Sequence, residues 1–314
     1  MDWLSRLLDM MPVAGHLDIR CTYGAPWRIE YDASTIGTIP YHIVLAGSAL
    51  IADPDSGSRE HLAAGDIVIL TTGVAHILHD GSDAPAFPNY SRPGLNHTIS
   101  ENIGTGQRVD MLCGHFSVSS PHDRLIRSYL PPRLIVRGSA HTRPGEQTAA
   151  GTQLKALIGL IRMESDTEDL GGGAMLNAYS AALFTLALRL ASEAEEAPPG
   201  LLALAGHPRV APALAAMFEK PAHPWTLPEL ANLCNMSRAT MARHFQEKLG
   251  RSASDLLLDI RMTLAANELK KPGASTAAVA EAAGYQSEAA FQRIFKQRMG
   301  VTPSQWRRGV HSPG

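Results

Sequence analysis

The sequence has few cysteines, no recognisable secretion signal and no uninterrupted apolar run long enough to cross a membrane. Its 314 residues include only three cysteines, Cys21, Cys113 and Cys234. The opening MDWLSRLLDMM lacks a basic segment followed by an apolar one. The missing signal pattern and the low number of cysteines together predict a reducing, cytoplasmic location. The most apolar stretch, residues 174–191, is interrupted by polar side chains and predicts no membrane span.

Charge is also sparse, at 18% of the residues, and it is unevenly distributed. Residues 1–206 hold 14 Lys and Arg against 22 Asp and Glu, a net charge of −8. Residues 207–314 hold 14 against 8, a net charge of +6. An acidic front and a basic back indicate that only the back meets a polyanion. The length allows two domains with a small connecting module.

The front of the chain predicts a β-domain at residues 15–120. Short apolar runs there are separated by Gly, Pro, Asp and Ser clusters, which is typical of a small all-β barrel or sandwich. The runs are WRIEY, YHIVLAGSALI, DIVILTT and RVDMLCGHFSV. Before them, residues 3–11 place their apolar side chains on one helical face. This spacing predicts an amphipathic helix packed against the domain that follows it.

Beyond residue 150 the apolar spacing becomes helical. Residues 152–161 predict one helix, and a glycine break at 171–173 precedes a second helix at about 174–195. The predicted hairpin either carries a self-association face or only covers the open end of the β-domain. The sequence SEAEEAPPG at 192–200 then predicts a helix end and a linker.

A helix-turn-helix pattern occurs twice in the C-terminal part, with the copies 50 residues apart. They read TLPELANLCNMSRATMARHFQEKLG at 226–250 and STAAVAEAAGYQSEAAFQRIFKQRMG at 275–300. In each copy a short apolar helix and a tight turn precede a serine, Ser237 or Ser287, which is predicted to cap a second helix. Such a unit inserts its second helix into the DNA major groove. Two copies therefore predict a protein that reads two stretches of double-stranded DNA.

The second helix of each copy is predicted to have one inward and one outward face. The inward pairs are Met241 with Phe245 and Phe291 with Phe295, each four residues apart. Arginine suits bidentate contact with guanine or phosphate. The side chains predicted to face DNA are Arg238, Ala239, Ala242 and Arg243 in the first copy, and Gln286, Ser287, Glu288, Ala289, Gln292 and Arg293 in the second, with Lys296 and Arg298 directed at phosphate.

One helix is predicted between the copies, at residues 254–271. About 18 residues at roughly 1.5 Å each span about 27 Å. Successive major grooves on one face of B-DNA are about 34 Å apart. A rigid connector of this order would hold two recognition helices one helical turn apart.

Residues 207–308 resemble the DNA-binding domain of AraC/XylS-type regulators. The second copy carries G-Y-x-S-x-x-x-F-x-R-x-F-K followed by G-x-T-P-x-x-W-R. The first copy is looser, with Ser252-Ala253 where Ser-Pro or Thr-Pro is common. The resemblance implies a transcription factor that binds double-stranded promoter DNA and contacts RNA polymerase, and an activator rather than a repressor.

The front resembles the cupin-like sensor attached to one branch of that family, on YHIVLAGSALI, LAAGDIVILTTGVAHIL and MLCGHF. The implied fold is α+β and multidomain: a cupin-like β-barrel with appended helices, then an all-α domain with two helix-turn-helix motifs. We therefore divide the chain into a cupin-like sensor domain at 1–150, a hairpin and linker at 151–206 that would carry any homodimer contact, and an AraC-type DNA-binding domain at 207–314.

The signal remains open among a metal, an oxidant and a small molecule. Within the cupin resemblance His42 and His76 fall at motif histidines, but residues 44–48 lack the second histidine and the carboxylate of a metal-binding cupin. His42 and His76 with Cys113, or with His115, would instead supply three ligands suited to zinc. The alternative is that these histidines only form hydrogen bonds in a core or at a barrel mouth.

Two further signals are compatible with the sequence. Arg20 would lower the pKa of the Cys21 thiol and favour its oxidation, although Cys21 also fits an ordinary strand residue. An apolar ligand in the barrel would be lined by Tyr23, Trp27 and Tyr41.

Two other classes of protein are alternatives to the regulator. A cupin-type metalloenzyme with a passive helical C-terminal module needs the ligand set that residues 42–48 do not complete, so we predict no enzyme. A structural interaction module would not bind promoter DNA.

Overall fold

The computed structural model describes residues 2–119, 122–138 and 148–310. They form two compact units that do not follow the order of the chain. The β unit comprises residues 13–119, 131–138 and 148–194. The helical unit comprises residues 2–12, 122–130 and 195–310.

The β unit contains two sheets, in agreement with the predicted cupin-like fold. Its strands are β1 (Val13–Gly24), β2 (Arg28–Tyr31), β3 (Thr38–Ala46), β4 (Ser48–Ala52), β5 (Arg59–Ala63), β6 (Ile67–Ile69), β7 (His76–His79), β8 (Asn89–Pro93), β9 (Thr98–Asn102), β10 (Arg108–Val118) and β11 (Leu134–Val136). The larger sheet has the order β11-β6-β3-β10-β1-β9-β8, and the smaller has the order β2-β7-β4-β5. Strands β1 and β9 are parallel, and the long pair β1 and β10 is antiparallel.

Side chains of the larger sheet alternate between two apolar layers because successive residues of a strand point to opposite faces. On β10, Met111 and Cys113 join the core cluster between the sheets. Phe116 lies on the other face, where its ring centroid is 4.8 Å from that of Phe184. The strand therefore contributes to a barrel interior on one side and to a helix-covered layer on the other.

Helices α3 (Ala149–Ser165) and α4 (Gly172–Glu193) form the predicted hairpin. Within the described ranges, α4 is the one helix long and apolar enough to cross a membrane, by length and composition only. In the β unit it packs along β1, with Leu183, Phe184 and Ala187 buried. The approach is close at Gly15, where an added Cβ would lie 2.4 Å from the Ala181 amide nitrogen. These contacts are those of a core helix in a globular unit.

The helical unit is built around one long helix, α9 (Ala253–Lys270), which has buried side chains along its length from Ala253 to Leu269. The other helices are α1 (Trp3–Met10), α2 (Asp123–Tyr129), α5 (Leu201–Ala205), α6 (Ala211–Glu219), α7 (Leu227–Leu233), α8 (Arg238–Leu249), α10 (Thr276–Ala282), α11 (Glu288–Met299) and α12 (Pro303–Val310). The pairs α7–α8 and α10–α11 are the two helix-turn-helix units predicted from the repeat.

Helix α1 is amphipathic as predicted, but the packing partner predicted for it is wrong. Residues 2–12 belong to the helical unit, where α1 contacts α6 and α9. The Trp3 and Phe218 rings lie 6.4 Å apart, and Asn267 donates a hydrogen bond to the Met10 carbonyl at 2.6 Å. Its apolar face is buried there because α6 and α9 present an apolar surface to it.

The boundaries of the compact units differ from the predicted divisions at 150 and 206. Residues 2–12 and 122–130 pack with the C-terminal helices, and the helical unit resumes at 195. Within the helical unit, the side chain of Leu233 at the end of α7 is 45% exposed. The last residue of a short helix lies beyond the layer that its first turn packs against.

Candidate nucleic-acid interface and barrel interior

The first helix-turn-helix unit owes its sharp turn to local capping. Thr226 and Glu229 form a reciprocal capping box at the start of α7. Asn235 adopts the left-handed conformation, with φ of 50°, which asparagine tolerates better than most residues. Ser237 then caps α8 by accepting a hydrogen bond from the Thr240 amide at 3.1 Å.

Helix α8 presents the predicted DNA-facing side chains to solvent. Met241 and Phe245 are fully buried, which confirms the inward pair. The exposed face includes Arg238, Ala239, Ala242 and Arg243. Gln246 is also exposed, one turn beyond Ala242, and it extends this face. Gln246 was not among the predicted residues, although its i+4 spacing from Ala242 places it on the same helical face.

The second unit repeats this arrangement with a glycine in the turn. Gly284 has φ of 80° and approaches the backbone of Ala222, where an added Cβ would lie 2.4 Å from the carbonyl oxygen. Ser287 caps α11 by accepting from the Ala290 amide at 3.1 Å. Phe291 and Phe295 are fully buried, as predicted. The exposed face carries Gln286, Ser287, Glu288, Ala289, Gln292, Arg293 and Lys296.

The two faces differ in chemistry. On α8 the guanidinium of Arg243 lies 3.9 Å from the carboxylate of Glu247. On α11 the Gln292 amide donates to Glu288 at 2.8 Å. Both pairs are exposed, so they contribute little to stability and can be exchanged for contacts with a ligand. The first face is basic and the second mixes amide, acid and base.

The environment of Arg298 does not agree with the prediction that it contacts phosphate. Its guanidinium is 20% exposed and donates to Asp255 at 2.8 Å, with Asp259 at 3.5 Å. These acidic partners lie on α9 and hold the arginine inside the helical unit. The connector itself is confirmed: α9 has 18 residues, which at roughly 1.5 Å each correspond to about 27 Å.

In the β unit, two thiols meet inside the barrel. Cys21 pairs with Met111 across β1 and β10, so Cys113 is its diagonal neighbour on the same face. Cys21 and Cys113 are 0% and 2% exposed. A hydrogen bond from the Cys113 thiol lowers the pKa of Cys21, whereas its role as donor, together with burial, raises the pKa of Cys113 well above the usual range.

Arg20 is not the cause of the altered Cys21 pKa, contrary to the prediction. Its guanidinium pairs with Asp110 at 2.9 Å and with Asp166. Adjacent residues on a strand point to opposite faces, so the Arg20 and Cys21 side chains lie on different sides of β1. Strand alternation in the sequence already places Arg20 and Cys21 on opposite faces. That Cys113 is the neighbour of Cys21 depends on the pairing of β1 with β10, which is a tertiary feature.

A tyrosine links the thiols to two histidines. The Tyr31 hydroxyl lies 3.8 Å from the Cys113 sulfur, and its ring stacks on His76 with centroids 4.7 Å apart. His42 Nε2 and His76 Nε2 are 2.8 Å apart. Burial, then the neighbouring His76, holds the pKa of His42 well below its usual value, and burial also lowers the pKa of His76.

The histidine pair is therefore neutral, and its tautomers follow from the hydrogen bonds. His76 Nδ1 lies 3.1 Å from the Val74 carbonyl, so this nitrogen carries the proton. His76 Nε2 must then accept from His42 Nε2. This leaves His42 Nδ1 as a buried acceptor that has no hydrogen-bond partner among the described residues.

The predicted zinc set of His42, His76 and Cys113 is not assembled as a group of ligands. Across the described part of the chain, no cluster of three or more His, Cys, Asp or Glu side chains is arranged to hold a metal ion. The histidine Nε2 atoms point at each other. The Cys113 thiol donates to Cys21, and its sulfur accepts from the Tyr31 hydroxyl. The other candidate ligand, His115, bonds Asp18 at 2.7 Å.

The three aromatic residues predicted to line a ligand cavity do not share one. Tyr23 and Trp27 are buried in the barrel core cluster with ring centroids 5.8 Å apart. Tyr41 lies on the other face of the large sheet, where its hydroxyl is 2.8 Å from that of Ser180 on α4. Tyr41 precedes His42 on β3, and His42 points into the barrel. Because adjacent residues of a strand point to opposite faces, Tyr41 points away from the barrel interior.

Comparison with known proteins gives two family matches. A cupin family model matches residues 2–193, and a helix-turn-helix domain model matches residues 230–309. The chain is 29% identical to an uncharacterized HTH-type transcriptional regulator of Haemophilus influenzae, over 99% of each chain. It is 27% identical to the RCS-specific HTH-type transcriptional activator RclR of Escherichia coli, over 99% of this chain and 98% of that one. It is also 27% identical to the HTH-type transcriptional regulator MtrA of Neisseria gonorrhoeae, over 98% of each.

Proposed function

Because the chain belongs to the AraC-type transcriptional regulators with an N-terminal cupin domain, we propose that it activates transcription under the control of a signal sensed in its β unit. It is a DNA-binding regulator, and its relatives are transcriptional regulators rather than enzymes. This confirms the prediction of a non-enzymatic protein. We place its action in the cytoplasm, on promoter DNA beside RNA polymerase.

One observation carries the DNA-binding proposal. Helices α8 and α11 each begin at a capping serine, and they bury three and two large apolar side chains respectively. Each then exposes a polar face along the side predicted to enter a major groove. Arginines on these faces suit base edges and phosphates, and Lys296 suits a phosphate. Activation is supported by the name of the Escherichia coli relative, an activator.

A double substitution tests this proposal. We expect Arg243→Ala with Arg293→Ala to weaken binding to a duplex selected by the wild-type chain from a random-sequence pool. Each lost base contact should cost about 1–3 kcal/mol, and each lost phosphate contact should reduce the salt slope by about 1. Fluorescence anisotropy across a range of salt concentrations measures both quantities.

The matched control is Arg59→Ala with Arg92→Ala, which removes two exposed positive charges from β5 and β8, away from the hairpin. It should leave affinity and salt slope unchanged. Equal losses in both double variants would mean that general charge, and not the recognition helices, accounts for binding.

For the signal, we propose two-electron oxidation of Cys21. The support is the thiol contact with Cys113 and the lowered pKa of Cys21, which favours the reactive thiolate. The Cys21 thiolate would attack one oxygen of hydrogen peroxide, giving a sulfenic acid while the other oxygen leaves as hydroxide and takes up a proton to form water. The Cys113 sulfur would then attack the Cys21 sulfur, forming the disulfide and releasing a second water. The two electrons pass to hydrogen peroxide.

We also propose that the hairpin carries a homodimer contact. Four large apolar side chains near its tip are exposed, at 40% for Leu160, 61% for Met163, 105% for Leu170 and 43% for Met175. An apolar cluster of this kind on a soluble protein marks an interaction site. A second copy of the chain fits because two identical hairpins would cover each other's cluster.

A further inference from the structure

Asp259 is a buried acid at the centre of the helical unit. It lies midway along α9, and its side chain is 2% exposed. A carboxylate removed from water must be compensated by hydrogen bonds and opposite charges. The residues that compensate Asp259 come from three different parts of the chain.

Two of these partners lie at the carboxyl ends of the recognition helices. Arg298, in the last turn of α11, has a guanidinium nitrogen 3.5 Å from Asp259. Arg251, directly after the Gly250 cap of α8, has one 3.9 Å away. The same carboxylate thus joins the ends of α8 and α11 to the helix that connects them.

The third part is segment 122–130, which lies in sequence between strands β10 and β11 of the β unit. The Tyr129 hydroxyl donates to Asp259 Oδ2 at 2.6 Å, and the Tyr129 ring lies 5.3 Å from the Arg251 guanidinium carbon. Arg124 of the same segment donates to the Arg298 carbonyl and lies 3.8 Å from Asp259. One short segment therefore contacts the acid and both arginines.

We propose that Asp259 is a positioning residue for both recognition helices and that the β unit controls it through Tyr129 of segment 122–130. With Tyr129 docked, the carboxylate is fixed and holds Arg251 and Arg298 at once, so α8 and α11 keep one mutual orientation. When a signal withdraws segment 122–130, the carboxylate loses its neutral donor, and the two helix ends are no longer tied through it. The segment acts on the spacing of the readers, not on the DNA contacts themselves.

This inference rests on the proposed function and predicts a particular pattern of binding loss. Two linked readers gain affinity from each other only while their geometry allows both to engage. Loss of the Asp259 contacts should therefore weaken binding to a duplex with both half-sites. The affinity for a duplex with one half-site should stay nearly the same. A general loss of stability would weaken both.

The experiment uses the full-length chain and two duplexes: the selected two-site duplex and a version with one half replaced by unrelated sequence. We expect Tyr129→Phe and Asp259→Asn to bind the two-site duplex about tenfold more weakly and the one-site duplex within about twofold of wild type. The control Tyr90→Phe, at an exposed tyrosine of β8, should change neither.

Equal losses on both duplexes, or no loss on either, would overturn the positioning role. If Asp259→Asn does not fold, Tyr129→Phe alone decides, because it keeps the ring under Arg251 and removes only the donor. A wild-type chain that selects no duplex contradicts the proposed function instead, so the two failures are distinguishable.

Discussion

The Cys21–Cys113 pair makes a residue-scale prediction about oxidation. Addition of hydrogen peroxide should convert two free thiols to one disulfide, with the loss of two hydrogens, as read by mass spectrometry of the denatured chain. Since the pKa of Cys21 is lowered, the rate should reach its half-maximum at a pH below that of an ordinary thiol. Cys21→Ser and Cys113→Ser should each abolish the bridge.

Cys234→Ser is the matched control, because Cys234 lies in the helical unit at the end of α7. It should leave the bridge intact. A disulfide that persists in Cys113→Ser would assign the resolving thiol to another cysteine and contradict the pairing.

Single residues also show where sequence reasoning ends. The capping serines and buried aromatic pairs follow from local spacing, so Ser237, Phe245 and Phe291 were predictable. The environment of Arg298 was not, because its acidic partners lie about forty residues earlier on α9. Cys113 was assigned to a metal set for the same reason: its contact with Cys21 depends on how β10 pairs with β1.

At the scale of elements, the exposed cluster of the α3–α4 hairpin predicts a dimer that charge would disrupt. Leu160→Glu with Met163→Glu should weaken self-association roughly tenfold or more, since buried apolar anchors dominate interface energies. Sedimentation velocity across a concentration series measures the change. The control Ile103→Glu places the same charge at another exposed apolar residue of the β unit. A monomeric wild-type chain at all concentrations would contradict the dimer.

Element boundaries were largely predictable and packing partners were not. The run RVDMLCGHFSV coincides with β10, and the predicted connector is shifted from α9 by one residue. Both rest on periodicity, which a single segment contains. Helix α1 has the same kind of signal, but an amphipathic face states only that it will be covered. Which surface covers it depends on the α6 and α9 faces, more than 200 residues later in the chain.

For the whole molecule, two unequal recognition faces predict a directional operator. Arg243→Ala should weaken discrimination in one half of the selected site, and Arg293→Ala in the other half. Affinities for a panel of single-base-pair changes would show this as two separate sets of affected positions. Overlapping sets would mean that both helices read the same half. Inverting the site upstream of a promoter should then reduce activation in a reporter assay.

The position of α1 has a consequence for the order in which the protein is made. Ribosomes add about 5–20 residues per second, so α1 emerges on the order of tens of seconds before α9 is synthesised. Until α6 and then α9 have been made, its apolar face, with Leu4 and Leu7, lacks the complete surface that finally buries it. The helical unit therefore cannot be completed before α9 has been synthesised. Helix α1, the first of its helices to be made, is among the last to be buried.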